Sequence, residues 1–132
     1  PLQLTLSDGG VRLGIVTDLG CAPDSVAAAL AGCRALLLEC NHDEGLLRTG
    51  PYHPALKKRI LGSHGHLSNS AAADLLTRCL HQGLKAVAAA HLSEHNNTPE
   101  LARAALVEVL CGDESEIRIA HPTLGLDWLA LN

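Results

Sequence analysis

Apolar and polar positions alternate along the chain in short runs whose spacing switches between the period of a strand and that of a helix. The opening LQLTLSDGGVRLGIVTD reads as two strands joined at Asp8-Gly9-Gly10, the signal of a tight hairpin. APDSVAAALAGC places Pro23 near a helix start and Gly32 near its end. RALLLEC is a continuous apolar run, expected of a buried strand, and it stops at Glu39. From Asn41 to Gly50 the pattern is that of a short helical or irregular stretch, broken by Gly50-Pro51. After the loop GSHGHLSN, residues Ala72, Leu75, Leu76, Cys79 and Leu80 recur at helical spacing, which predicts a helix opening at Ser68 or Asn69 and closed by Gly83. KAVAAAH is the next buried strand. Thr98-Pro99-Glu100 then supplies an N-cap, a first-turn proline and an acidic first turn for the helix ELARAALVEVL, which Gly112 ends. EIRIAH and LDWLALN read as two terminal strands around Pro122 and Gly125.

Strands alternating with helices, with buried central strands, indicate an α/β layer architecture whose sheet is at least partly parallel. Three successive strands finish at Asp18, Glu39 and His91. Open α/β sheets place their sites at that C-terminal rim, and the segment AVAAAHLSEHNN delivers its polar end there.

The chain has 132 residues, 47% of them hydrophobic, which suits one domain spanning 1–132. With no Phe, no Met, Trp128 and Tyr52 as its lone Trp and Tyr, its core must be aliphatic. The same scarcity argues against nucleic-acid binding by base stacking. A net charge of −4 gives no overall attraction to phosphate, so any polyanion contact would be local, at the cluster Lys57, Lys58 and Arg59. The alternative for that cluster is a solvated helix face. Cys21, Cys33, Cys40, Cys79 and Cys111 form no CxxC pair, and with no signal-like start or membrane-length apolar run the expectation is a cytoplasmic protein without a membrane partner.

A carboxylate and an imidazole at adjacent strand ends, Asp18 and His91, suit a zinc-like or manganese-like ion. An aspartate after a strand also serves as a turn or cap residue, and the pair alone does not decide between the two. His64, His66 and His95 lie in neighbouring polar loops. Asn96 and Asn97 read first as side chains that satisfy loop backbone groups. The cysteines read as small buried hydrophobes, with Cys40 beside Glu39.

GIVTDLG, LLLECNHD, KRILGSHGHLSN and AAHLSEHNNTPELA, in that order, resemble the C-terminal half of metallo-β-lactamase-fold hydrolases of the YycJ (WalJ) type, relatives of RNase Z and RNase J. The resemblance implies half of an αββα sandwich, a mixed sheet with helices packed on one face. It implies that Asp18 of the TD-x-G turn and His91 of HLS-x-x-NN ligate metal, and that Glu39 and His66 form a proton-handling pair. Lys57, Lys58 and Arg59 would hold a distal phosphate, while Asn41, His42, Ser93 and Asn96 are secondary candidates for the site. The implied activity is hydrolysis by a metal-activated hydroxide, in a phosphodiesterase or nuclease acting on nucleic acid; the alternatives are an acyl or thioester hydrolase, or a non-enzymatic interaction domain.

This sequence departs from the family in lacking the His-x-His-x-Asp-His string of the N-terminal half. Two divalent ions, zinc or manganese, are therefore expected in a full-length protein, and none in this chain alone, which should be inactive by itself. Either the missing N-terminal half or a second copy should cover the sheet face that a lone half would expose.

Overall fold

The computed structural model describes residues 2–112 and 116–131. The elements run β1 (Leu2–Ser7), β2 (Arg12–Thr17), α1 (Asp24–Leu30), β3 (Ala35–Glu39), α2 (Glu44–Thr49), α3 (Pro54–Ile60), α4 (Asn69–Cys79), β4 (Ala86–Ala90), α5 (Pro99–Val109) and β5 (Ile117–Ile119). One sheet takes them in the order β1-β2-β3-β4-β5, antiparallel between the first two strands and parallel thereafter. The hairpin closes on Asp8, whose carboxylate accepts the N–H groups of Val11 at 2.7 Å and Gly10 at 2.8 Å. Those two bonds hold its carboxyl below the ordinary carboxylate range.

Strand register sorts the side chains into two faces. Gly14, Leu36, Val87 and Ile117 lie side by side, and Val16, Leu38 and Ala89 form the next row on the same face. These rows meet Ala27 and Leu30 of α1, Ala72, Leu75, Leu76 and Cys79 of α4, and Ala102 and Leu106 of α5 in one aliphatic core. A Cβ at position 14 would come within 2.6 Å of Leu30 Cδ2, so α1 lies directly on the backbone of β2. Ser68 and Thr98 cap α4 and α5 by accepting the N–H groups of Ala71 and Leu101.

The other face carries no helix from this core. Leu13, Ile15 and Leu37 stand on it half-buried, and β1 adds Leu2, Leu4 and Leu6, which remain 44%, 42% and 53% exposed. Thr5, between them, points the opposite way and donates to the Ala29 carbonyl of α1. β1 thus turns its polar residues to the helices and its leucines to the open side.

Two stretches differ from the sequence expectation. The helix α3 was not separated from the stretch after Gly50-Pro51: only Leu56 and Ile60 mark a stripe of large apolar side chains on it, and none of its residues is buried. LDWLALN, whose last residue Asn132 lies outside the described residues, forms no strand. After a turn bridged between His121 and Gly125 the tail reaches Arg34, whose Nε donates to the Leu131 carbonyl at 3.1 Å. Among the described residues the tail beyond this turn has no backbone pairing with a strand.

We expect the isolated chain to self-associate through the open face, and Leu4→Lys with Leu6→Lys to raise its monomer fraction. Size-exclusion chromatography with light scattering reads this, and a monodisperse wild-type monomer that binds no hydrophobic dye would contradict it.

Candidate functional site

Parallel pairing of β2, β3 and β4 brings their C-terminal ends to one rim, with Val16 beside Leu38 and Glu39 beside Ala90. Immediately past β2 and β4 the backbone turns sharply. Asp18 and His91 both occupy the left-handed region, at φ 55° and 57°, a conformation that non-glycine residues adopt rarely and at a cost of about 1 kcal/mol or more. His66 arrives from the loop between α3 and α4. That loop packs against the turn after β2 backbone to backbone, since a Cβ on Gly20 would collide with Ser63 and Gly65.

Glu39 is the hub of these elements. Its side chain is completely buried, and its two side-chain partners among the described residues are histidines, with no Lys or Arg beside it. Oε2 accepts the backbone N–H of Leu19 at 2.9 Å and of Leu67 at 3.4 Å. Oε1 lies 2.8 Å from Nδ1 of His66 and 2.8 Å from Nδ1 of His91. Four donors therefore satisfy a charge that burial would otherwise make costly. An acceptor shared at Nδ1 fixes each neutral ring as the Nδ1–H tautomer and leaves each Nε2 unprotonated. The two rings meet edge-on with centroids 5.1 Å apart.

Asp18 completes the cluster, half-exposed, with Oδ1 3.8 Å from both imidazole Nδ1 atoms and Oδ2 accepting the Thr17 hydroxyl at 3.2 Å. One donor atom from each of Asp18, Glu39, His66 and His91 lies within 4.8 Å of the others. A carboxylate oxygen and two imidazoles whose Nδ1 atoms rest on a buried carboxylate fit the ligand chemistry of a divalent cation. Asp18, His91 and His66 are the residues able to hold one.

The secondary candidates divide. Asn41 is buried and stitches the rim together: its amide donates to the His91 carbonyl at 2.9 Å, its N–H to the Leu67 carbonyl, and its carbonyl accepts the Ser93 N–H. His42 is buried beneath the site, with Nε2 free of any hydrogen-bond partner among the described residues, and burial lowers its pKa below the ordinary value. Ser93 Oγ accepts from the Asn96 backbone, while Asn96 Oδ1 is buried without a partner among the described residues. Asn97 serves the backbone: its amide bonds the Cys40 carbonyl and the Thr98 N–H, and pairs reciprocally with the Asn69 amide at 2.9 Å. Cys40 is buried and its thiol is pushed up to about 12, chiefly by desolvation, which leaves it inert.

The basic cluster is split by the fold. Lys57 Nζ donates to the carbonyls of Arg48 and Gly50 at 2.7 and 2.6 Å, closing the end of α2, and Lys58 is exposed. Arg59 alone of the three lines a cavity of about 370 Å³ beside His66 and His91, together with Asn41, Tyr52, Leu56, Ile60, His64 and Ser93. Tyr52 was not singled out from the sequence, since it stands at no strand end or motif position, and His64, noted among the loop histidines, falls out of register with the motif that His66 matches.

No protein-family model matches the chain. It is 34% identical over 130 residues to the exodeoxyribonuclease YycJ of Bacillus anthracis, covering 94% of this chain and 49% of that protein. It is 40% identical over 96 residues to the exodeoxyribonuclease WalJ of Streptococcus pneumoniae serotype 2, covering 73% of this chain and 36% of that one. The chain thus spans half or less of the length of the curated relatives it matches. Among solved structures, the metallo-β-lactamase fold protein YhfI of Bacillus subtilis superposes with a TM-score of 0.64 at 20% identity, over 96% of this chain and 43% of that one. A Zn²⁺-bound PqqB from Methylobacterium extorquens gives a TM-score of 0.57 at 19% identity, over 96% and 40%.

A glutamine at position 39 has one acceptor oxygen where the carboxylate has two; the backbone N–H groups of Leu19 and Leu67 can only donate, so the oxygen turns to them and the amide NH2 faces the two rings, which can accept from it only by changing tautomer. We expect Glu39→Gln to convert the uniform Nδ1–H state of the neutral His66 and His91 rings into a mixture, read by long-range ¹H–¹⁵N correlation; unchanged tautomers would refute the shared-acceptor arrangement. His42 generates a second expectation. Because its folded pKa lies below its ordinary value of 6.5, the unfolded chain binds a proton that the folded chain refuses as pH falls through that value. Stability should therefore drop below about pH 6.5, and His42→Gln should flatten that part of a urea-midpoint profile. A variant with the wild-type slope would remove His42 as a cause.

Proposed function

The chain is one half of a metallo-β-lactamase fold of the YycJ/WalJ type, and on that premise we propose that in its full-length form it is a metal-dependent phosphodiesterase acting on nucleic acid. The observation that carries the reading is the convergence of Asp18, His66 and His91 around the fully buried Glu39. Asp18 and His91 are the ligands this half contributes, and the remaining ligands for two ions, zinc or manganese, come from an N-terminal half. That half also covers the open face bearing Leu4, Leu6, Ile15 and Leu37, and 1–132 is thus part of a larger domain. Two donors from one chain are too few for a tight site, which leaves this chain inactive alone. Three buried free thiols, Cys33, Cys40 and Cys79, suit a cytoplasmic setting.

A divalent ion bound there supplies Lewis acidity and lowers the pKa of water. The protein's own part is proton handling and positioning. His66, with Nδ1–H held by Glu39, presents Nε2 to take up and return a proton at the departing oxygen of a phosphodiester. Arg59, across the cavity from these rings, holds a neighbouring phosphate, with Lys58 adding to the local field and Lys57 anchoring their helix to α2. Asn41 keeps His91 in its left-handed turn.

The test uses the full-length protein. Asp18→Ala should lose metal measured by elemental analysis, whereas His66→Ala should keep its metal and lose turnover of a phosphodiester by roughly a hundredfold or more. Loss of metal from His66→Ala would end the proton-handling role, and a wild type that cleaves thioesters but no phosphodiester would end the nuclease reading.

A further inference from the structure

The cavity beside the histidines has a neighbour. Leu92 and Ser93, which follow His91, line it and line a second cavity of about 550 Å³ as well. That second cavity lies between the loop after β4, the start of α5 and the turn after β5, with Glu94, Arg103, His121 and Pro122 around it. Ile119 also lines it, and by register Ile119 stands beside Ala89 and Leu38 on the face that carries the helices. The cavity is thus on the helix side of the sheet, away from the open apolar face. Arg103 and His121 line a third hollow too, of about 640 Å³, so each hollow shares a wall with the next.

Its two basic side chains are set up as donors. Nδ1 of His121 accepts the backbone N–H groups of Thr123 at 3.1 Å and Leu124 at 3.2 Å. That fixes the neutral ring as the Nε2–H tautomer and leaves this N–H without a partner among the described residues. Two backbone bonds with Gly125, at 2.9 and 3.0 Å, hold the residue in place. Arg103 spends one N–H on the Ile117 carbonyl at 3.4 Å, and its guanidinium has further donors to give. A guanidinium and an imidazole N–H suit the oxygens of a phosphate. Glu94, the lone carboxylate among the lining residues, opposes an anion, but it is exposed to screening water whereas Arg103 is half-buried.

Ser93 is two residues past His91, so at most about 7 Å of chain separates them. Along one nucleic-acid strand the charges recur about every 3.4 Å of axis. A strand whose scissile phosphate sits at the histidines therefore passes the second cavity within roughly two or three phosphates of the cut. Resting on the phosphodiesterase reading above, we propose that this cavity between the β4–α5 loop and the β5 turn is a subsite for a backbone phosphate of the substrate strand, roughly two or three positions from the cut, with Arg103 and His121 donating to it. A phosphate contact reads no base and needs no unpaired strand, so the subsite serves single strands and duplexes alike.

The experiment uses the full-length protein as wild type, Arg103→Gln, Arg103→Lys, His121→Gln and Glu94→Gln. Metal-supported hydrolysis of a dodecadeoxynucleotide is compared with that of bis(4-nitrophenyl) phosphate, a diester too small to reach the second cavity. On the oligonucleotide we expect Arg103→Gln and His121→Gln each to raise KM about tenfold with kcat changed by less than about twofold, and Glu94→Gln to lower KM about threefold. On the small diester every variant should match wild type. A methylphosphonate, which removes the charge of one phosphate, should raise the wild-type KM when placed roughly two or three positions from the first cut and leave that of Arg103→Gln unchanged. Anisotropy of the labelled oligonucleotide in EDTA gives the slope of log Kd against log salt, which should fall by about one in Arg103→Gln and return in Arg103→Lys. Wild-type KM and salt slope in Arg103→Gln overturn the subsite, and so does an equal penalty on the small diester or a raised KM in Glu94→Gln. Should no phosphodiester be cut at all, the phosphodiesterase reading falls and the salt slope still decides the subsite, so the two failures are told apart. Far-ultraviolet circular dichroism of each variant separates a lost contact from a lost fold.

Discussion

A carboxylate cannot sit dry inside a protein unless every lone pair facing the interior finds a donor, and Glu39 meets that condition with groups from the turn after β2, the loop before α4 and the end of β4. Each of those segments is irregular at that point and would be free to wander without this anchor. Because one oxygen accepts both imidazoles, the rings are oriented together, and because the other oxygen accepts two backbone N–H groups, their loops are oriented with them. The rest of the rim depends on this arrangement. Asn41 repeats the device one step on, linking the His91 carbonyl, Leu67 and Ser93.

The sheet makes this meeting possible by geometry alone. Parallel strands in matched register end at the same height, so residues that follow them become neighbours although they lie far apart in sequence. Helices on one side fill the core with aliphatic side chains, and the opposite side keeps leucines that serve no partner within this core. One molecule thereby presents an apolar face and, at its rim, a cluster of carboxylates and imidazoles. Under the function proposed above, one N-terminal half of the fold completes both.

Much of this was legible in the residues. The hairpin at Asp8-Gly9-Gly10, the Thr98-Pro99 cap and the apolar spacing in α4 are local signals whose physics acts within a few residues, and each appears where the pattern put it. The strand ends at Asp18, Glu39 and His91 were legible for the same reason. What could not be read is what depends on contact between distant segments. Nothing in the string says that Glu39 would serve His91 as well as His66, that Lys57 would be spent on α2, or that Tyr52 would line the same cavity as His66 and His91. The tail misled because alternation in LDWLALN is a property of side chains, whereas a strand is made by backbone pairing with a neighbour, which the tail lacks among the described residues.

Gly20 and Gly65 touch with no side chain between them, in the two loops that carry Asp18 and His66. The gap between an oxygen donor and a nitrogen donor is thus set by the thickness of bare peptide, the thinnest spacer a protein can make. A methyl group on Gly20 would act as a wedge between the two loops, and one on Gly65 would strike the backbone of Arg59 and Ile60 at the end of α3, both at places away from the carboxylate and the imidazole. Lineages that drift elsewhere in these loops would still be held to hydrogen at these two α-carbons.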